Sequence, residues 1–371
     1  MLLLFDVFFY VFIGIVVIQV IYYGIIFGRF ATLKRKKTSP KNLPISVIIC
    51  AKNEAENLET NLPSILSQSY PNFEVVLIND YSSDNTLAVM QSFAQNHDNI
   101  KIVDVKPIEA FWGNKKYALT LGIKAAKYNT LLFTDADCKP ISKHWISKMT
   151  EHFDSKKALV LGYGPYQKIK GSFLNALIRF ETFMTAVQYF SYTLIGQTYM
   201  AVGRNLAYKR ELFYEANGFM NHMNIRSGDD DLFVNQVATL SNTAICITKE
   251  SFTESVPKKT FSSWFLQKRR HISTATHYKL KHKILLTCFY CSQFLFWALA
   301  ITLIVAMHQW QLVIALVSLR FIIQYTTLYS AAAKLKEKDL MLFIPFLELF
   351  LITFQFFIFI KNLLSKPHHW K

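Results

Sequence analysis

The chain has 371 residues, 52% of them hydrophobic, yet carries a formal net charge of +16. A positive mean hydropathy argues against an ordinary soluble enzyme, and no helix-turn-helix, zinc-finger or RNP-type pattern accompanies the basic excess, so nucleic acid is set aside as a partner. An anionic leaflet or a phosphate-bearing substrate accounts for that charge more simply.

From the N-terminus, Val7–Phe27 is an almost uninterrupted apolar run long enough to cross a bilayer core. It has no basic n-region and no small-residue cleavage site, so it reads as an anchor and not a signal peptide. Arg29, Lys34, Arg35, Lys36 and Lys37 follow it, and by the positive-inside rule they stay in the cytoplasm. The expected organisation is an N-terminal transmembrane helix (1–28), a basic linker (29–43) and a cytoplasmic soluble domain (44–283). A C-terminal membrane region of about three helices (284–371) follows, from apolar runs near Ile284–Met307, Leu312–Ala333 and Leu340–Ile360. Lys334, Lys336 and Lys338 fall inside if all four runs span. Lys361, Lys366 and Lys371 then fall outside, against the rule, and an interfacial last segment is the alternative.

Within the soluble segment, strand-like and helix-like stretches alternate. Ser46–Cys50, Glu74–Ile78, Lys101–Val105 and Thr130–Thr134 read as strands. Glu54–Gln68 (with Asn53 as N-cap), Ser83–Gln95 and Lys115–Ala126 read as helices. This order predicts an α/β domain built on a mostly parallel, Rossmann-like sheet. Such sheets bind ligands beyond the carboxyl ends of their strands, where Asp80, Asp135 and Asp137 fall, with Asn53 and Glu54 close by. After Ala158 the alternation loosens: "ALVLGYGPY" reads as a strand, and Phe173–Ile195 as a long aromatic, amphipathic stretch that suits a buried or membrane-surface helix as well as a substrate groove.

Each acidic motif has an ordinary reading. In "INDYSSDNT" an Asx turn could cap the next helix; the alternative is a nucleobase acceptor at Asp80. In "LLFTDAD" the acids sit at i and i+2, sharing a face in extended backbone. Like charges that close need a cation or a proton, and a hard divalent ion shared with a diphosphate would serve. The acids of "SGDDDLF" could simply suit a helix dipole. Cys288 and Cys291 form a CxxC without a second pair, which falls short of zinc's four ligands. Cys50, Cys138 and Cys246 read as buried thiols in a reducing compartment.

Taken in order, "SVIICAKNEAENL", "VVLINDYSSDNT", "GNKKYALTLGI", "LLFTDAD", "VGRNLAYKRELFYEANGF", "SGDDDLF" and "QKRRH" strongly resemble the family 2 glycosyltransferases, inverting enzymes of GT-A fold, over about residues 44–271. The resemblance implies that Asn53, Glu54, Asp80, Lys115 and Asp135 bind the nucleotide, with Asp80 reading the base and Lys115 near the phosphates. It implies that Asp137, assisted by Asp135, holds Mg2+ or Mn2+. The base that takes the acceptor proton is Asp230 if "GDD" sets the register and Asp229 if the downstream "DL" does. Arg204, Asn205, Gln267 and Arg270 would face the acceptor or the diphosphate, on an interfacial helix near 261–275 for the last two. On that helix Trp264 would share their face, while Lys268 and Arg269 would point to lipid phosphates. Two positions depart from the family pattern: Asn79 replaces the first acid of a DD pair, and His271 the tryptophan of QxxRW. The implied function is a membrane-anchored transfer of a sugar from a nucleotide-diphosphate donor, UDP-linked by preference, to a lipid-linked or glycan acceptor. A processive polysaccharide synthase is the alternative within the class; a non-catalytic sugar-nucleotide-binding membrane protein is the alternative outside it.

Overall fold

The structure is a computed structural model that describes residues 2–34, 39–106, 115–225 and 227–365. Arg35–Lys37, Gly113–Asn114, Lys366 and Lys371, named above, lie outside the described residues. The first apolar helix comprises α1 (Leu2–Val20), a π-helical stretch (Ile21–Ile26) and α2 (Phe27–Ala31), so it continues three residues beyond the expected boundary and takes Arg29 into its last turn.

The α/β unit then alternates β1 (Ile45–Ala51), α3 (Ala55–Leu66), β2 (Phe73–Asn79), α4 (Thr86–Asn96), β3 (Ile100–Asp104), α5 (Lys115–Ala125) and β4 (Thr130–Phe133). Beyond it come β5 (Cys138–Pro140), α6 (Trp145–Thr150), β6 (Leu159–Leu161), α7 (Phe173–Leu194), β7 (Leu206–Lys209), α8 (Arg210–Glu215), α9 (Asp231–Val237), β8 (Thr243–Ile245), β9 (Thr253–Ser255) and α10 (Phe261–Thr274). Three apolar helices close the chain: α11 (Leu280–Val305), α12 (Trp310–Leu335) and α13 (Ile344–Leu364).

The main sheet has the order β3-β2-β1-β4-β7-β6-β8. β1 is parallel to β2 and β4, and β2 to β3; β7 enters antiparallel between β4 and β6, while β8 is parallel to β6. Strand side chains alternate between two cores. Val47, Ile49, Val75 and Leu77 pack with α3, α4 and α6, whereas Ile48, Val76 and Ile78 join a second core that continues without a break into Tyr22, Phe27, Phe289 and Leu328 of the apolar helices. Both faces of β1 and β2 are covered, which is why they read as unbroken apolar runs.

Three local expectations are corrected. Asn53 is not the N-cap of α3: it adopts φ +54°, and Glu54 precedes the helix without a side-chain cap. The orphan N–H groups of Glu54 and Ala55 donate instead to Thr86 Oγ1 (2.9 Å) and Asp84 Oδ2 (3.3 Å) from the next loop. Asp84 also accepts from Thr86 N at 2.9 Å, an Asx turn that delays α4 until Thr86. The strand in "ALVLGYGPY" stops at Leu161, because a Cβ on Gly162 would lie 2.4 Å from Asn205 Cγ; the backbone leaves the sheet where Asn205 presses against it.

Four helices, Leu3–Ala31, Leu280–Val305, Trp310–Leu335 and Lys338–Leu364, are long and apolar enough to cross a membrane. Between them lies a buried polar knot. Arg320 pairs with both oxygens of Glu348, Nη1–Oε2 at 2.9 Å, and donates to Gln19 Oε1 at 3.0 Å. Gln293 reaches Glu348 Oε1 at 2.9 Å, and Gln324 reaches Tyr23 Oη at 3.0 Å. Both ends of the last helical segment touch the α/β unit. Just before α13, Glu337 and Asp339 receive Arg179 of α7. At its far end, Arg269 of α10 donates to Asn362 Oδ1 (2.9 Å) and Ser365 O (2.6 Å).

Candidate active site

Parallel strands aim their carboxyl ends at one edge, and the polar groups gather there. Lys52 and Glu54 follow β1, Asp80 follows β2, and Asp135 and Asp137 follow β4; Arg204 precedes β7, and Asp229 and Asp230 precede α9. All of them, with Lys115, Gln267, Arg270 and His271, line one cavity of about 950 Å3. Towards the apolar helices the same cavity is bounded by Leu286, Phe289, Leu351 and Phe359.

The loops that carry these groups are laced together. Asn53 Oδ1 accepts from Ser83 N at 2.8 Å, and Ser82 Oγ accepts from Asn53 N at 3.1 Å. Asn79 donates to Asp104 Oδ1 at 2.8 Å, tying β2 to β3. An aspartate there would face Asp104 as a like charge, which gives the substitution a structural reason. Gly228, at φ +90°, admits the sharp turn into the acidic run; a Cβ there would meet Leu232 at 2.6 Å.

Lys115 Nζ sits between Asp135 Oδ1 (3.0 Å) and Asp229 Oδ2 (3.1 Å). Burial works against its charge, but the two carboxylates raise its pKa well above the ordinary lysine value. Burial likewise opposes ionisation of Asp135, and Lys115 overcomes it, leaving that carboxyl low. Asp137 goes the other way: burial and the nearby Asp135 hold its pKa up. Burial also raises Asp80, with Lys52 and Lys115 pulling it back. Asp230 is the most perturbed of the set: burial, then Asp229 and Asp231, push it to about 8, although Gly203 N donates to its Oδ2 at 2.6 Å. Asp231 is committed elsewhere, accepting from Thr274 Oγ1 (2.5 Å) and Tyr278 Oη (2.6 Å), and so fastens α9 to the end of α10.

Ligand atoms of Asp135, Asp137 and Cys138 lie within 4.8 Å of one another. Burial pushes the Cys138 thiol well up, so it stays protonated. What remains is a pair of hard oxygen donors, one of them on a carboxylate that burial and Asp135 hold against ionisation despite Arg204, which fits a hard divalent ion.

Some sequence-derived positions land elsewhere. Asn205 is fully buried behind the cavity: its Oδ1 accepts from Trp145 Nε1 (3.0 Å) and its Nδ2 donates to Tyr163 O and Ser251 O. It braces the sheet and does not face an acceptor. Asn53 braces its loop and is not among the cavity-lining residues. Arg204 does line the cavity, held over the Tyr166 ring at 4.5 Å and bonded to Ser255 Oγ at 2.8 Å. Trp264 turns away and stacks on Phe354 of α13, centroids 4.2 Å apart. Lys268 and Arg269 do not point to lipid phosphates. Lys268 pairs with Glu181 at 2.5 Å, and Arg269 is spent on the end of α13. Sequence reasoning overlooked Glu181, Thr185 and Gln188 of α7, which also line the cavity. Their i, i+4, i+7 spacing within an aromatic helix was the available signal.

Residues 46–216 match the family described as glycosyl transferase family 2. Over 93 residues, 25% of this chain and 21% of the relative, the sequence is 41% identical to a poly-beta-1,6-N-acetyl-D-glucosamine synthase of Staphylococcus epidermidis. Over 188 residues, 50% of this chain and 58% of the relative, it is 28% identical to glycosyltransferase AglE of Haloferax volcanii. The aligned stretches thus span less than two thirds of either relative. Among solved structures, a mannosyltransferase from Pyrobaculum calidifontis, in complex with GDP-Man and Mn2+, superposes with TM-score 0.60 over 90% of this chain and 98% of its own at 18% identity, a likeness of fold. The chain therefore carries a GT-A-like α/β fold joined to apolar helices, with residues 46–216 similar to glycosyl transferase family 2.

Proposed function

We propose that the chain is a membrane-anchored inverting glycosyltransferase that moves a sugar from a nucleotide-diphosphate donor, of UDP type, to a lipid-linked or glycan acceptor. The observation that carries this reading is the single cavity in which Asp80, Lys115, Asp135 and Asp137 on one side meet Asp230 on the other, with an apolar wall beyond. Asp80 accepts a hydrogen bond from the base. Lys115 keeps Asp135 ionised, pairs with Asp229 and adds positive charge beside the phosphates. Asp137, with the second oxygen of Asp135, would hold Mg2+ or Mn2+, which neutralises charge on the departing nucleotide. Asp230 takes the proton of the acceptor hydroxyl as the new bond forms at the anomeric carbon and the bond to the diphosphate breaks. Asp230 is preferred to Asp229 because Lys115 already claims Asp229. Arg270 lines the cavity from α10 and meets the charge developing on the leaving group.

For topology we propose three spanning helices with the α/β unit in the cytoplasm, and α13 lying shallow with its carboxyl end returned to that side. Arg179 at one end of the segment and Arg269 at the other support this course. It also puts Lys361 on the side that the positive-inside rule favours. In intact cells Ser365→Cys should resist an impermeant thiol reagent; labelling there would reject the course.

Activity is tested by offering radiolabelled nucleotide sugars to membranes containing the chain, with and without EDTA, and separating lipid-soluble from polymeric product. Transfer that is lost in EDTA and in Asp137→Asn supports the reading. Full turnover in EDTA would remove the metal role. Label in the polymer fraction would select processive synthesis, the reading favoured by the synthase relative.

A further inference from the structure

The acids that would take the acceptor proton hang on irregular backbone. Between a short 3-10 turn at Met220–His222 and α9 the described chain is neither helix nor strand, and it enters the acidic run through Gly228 at φ +90°. Carboxylates on such a segment keep a fixed aim only if something outside it holds the backbone. Helix α5 supplies that hold twice. Lys115 reaches the side chain of Asp229 at 3.1 Å. Lys116, the next residue and so turned about 100° around the helix, reaches the backbone leading to it. Its Nζ donates to His222 O at 2.7 Å, Ile225 O at 2.8 Å and Ser227 O at 2.8 Å.

Lys116 is fully buried. A buried ammonium is costly unless its donors are met, and three carbonyls converging on one nitrogen suit its three N–H groups. Burial draws its pKa down to about 8, while Asp229, then Asp231 and Asp230, draw it back up, so the acids themselves help to keep it charged. An apolar side chain would fill the same volume and leave three carbonyls without that donor. Lys116 is not among the cavity-lining residues, so it acts through the segment and not on the substrates. We infer that Lys116 is a positioning residue for proton removal: through these carbonyls its ammonium sets the turn that presents Asp229 and Asp230 to the acceptor hydroxyl. The inference rests on the transferase reading.

The test uses membranes containing the full chain and the donor found by the screen above. Turnover at saturating donor is taken per nucleotide-binding site, so unfolded molecules are not counted. Lys116→Met should lower turnover about 100-fold, with donor affinity within about twofold of wild type, as expected when a reacting group is misplaced by roughly an ångström. Lys116→Gln keeps two N–H donors on a shorter arm and should fall between. A double variant decides how the lysine acts. Where asparagine has already replaced the base, Lys116→Met should slow the remaining transfer less than about threefold, because the group it aims is gone. Asp230→Asn is that background, or Asp229→Asn if it proves the slower of the two. Should Lys116→Met bind no nucleotide, Lys116→Gln takes its place in the cycle. Equal slowing in both backgrounds would overturn the inference, as would wild-type turnover in Lys116→Met. So would loss of nucleotide binding in both Lys116 variants, which would make the lysine a scaffold residue. A wild-type chain that transfers no sugar from any donor brings down the transferase reading, and this inference with it.

Discussion

Two buried clusters of charge sit in this chain, one at the sheet edge and one among the apolar helices, and they are built on opposite principles. In the helical knot Arg320 and Glu348 match one for one, and three glutamines and a tyrosine take up their remaining hydrogen-bonding capacity. At the sheet edge Asp80, Asp135, Asp137, Asp229 and Asp230 share Lys52, Lys115, Arg204 and Arg270, so the acids outnumber the bases and are not paired one for one. A balanced cluster needs nothing further and holds helices together. An acid-rich one is incomplete, and its deficit states what must arrive: cationic charge and a transferable proton.

The sharpest way to break the comparison is at Asp230. Asp230→Asn should slow transfer by about 10²–10⁴-fold with donor affinity near normal, read from single-turnover rates and nucleotide binding. If Asp229→Asn shows that pattern and Asp230→Asn does not, the base is the neighbouring residue. Next in size is the helical pair. Glu348→Gln alone leaves Arg320 buried without its partner and should destabilise by about 3–5 kcal/mol, seen as a fall in the thermal midpoint in detergent. Arg320→Met combined with Glu348→Leu should recover most of the loss, because the cluster is structural.

A pH profile sharpens the other side. Asp230 must be ionised to accept a proton and is held at about 8, so kcat/KM should climb about tenfold per unit from pH 6 and level off above 8. Stability should run the opposite way. The native state keeps a proton that the unfolded chain releases, so Asp230's contribution is present at low pH and is lost as pH rises through about 8. The smallest effect concerns the link between α7 and α10. Lys268→Ala strands Glu181 and should cost about 1–3 kcal/mol, and Glu181→Gln in the same chain should return part of it.

The contrast also explains what could be read in advance. β1, β2 and β4 are legible because a central parallel strand is a continuous apolar run, and an acid immediately after it marks the ligand edge. β7, between β4 and β6, is not legible: four residues, "LAYK", carry no periodicity, and its antiparallel entry is set by neighbours far along the chain. β5 and β9, at three residues each, fall below any pattern. Asn205 was open to misreading because its identity reports a contact with Trp145 and Tyr163 that local sequence does not contain. Lys268 likewise finds its partner 87 positions upstream at Glu181. Composition made α13 a membrane helix, but its course was invisible, since Arg179 and Arg269, which hold its ends, lie in another part of the chain.

The polar knot also bears on how the protein is made. Gln19 and Tyr23 leave the ribosome in the first helix, and their partners Arg320 and Gln324 follow 301 residues later. Gln19 and Tyr23 are themselves uncharged, so the first helix brings no charge to the knot. The charged pair is confined to α12 and α13, 28 residues apart, so arginine and glutamate neutralise each other within one late stretch of chain. An unpaired arginine in an apolar helix that enters a membrane costs about 2.5–3.5 kcal/mol. A nascent chain that stalls before α13 leaves that arginine without its carboxylate.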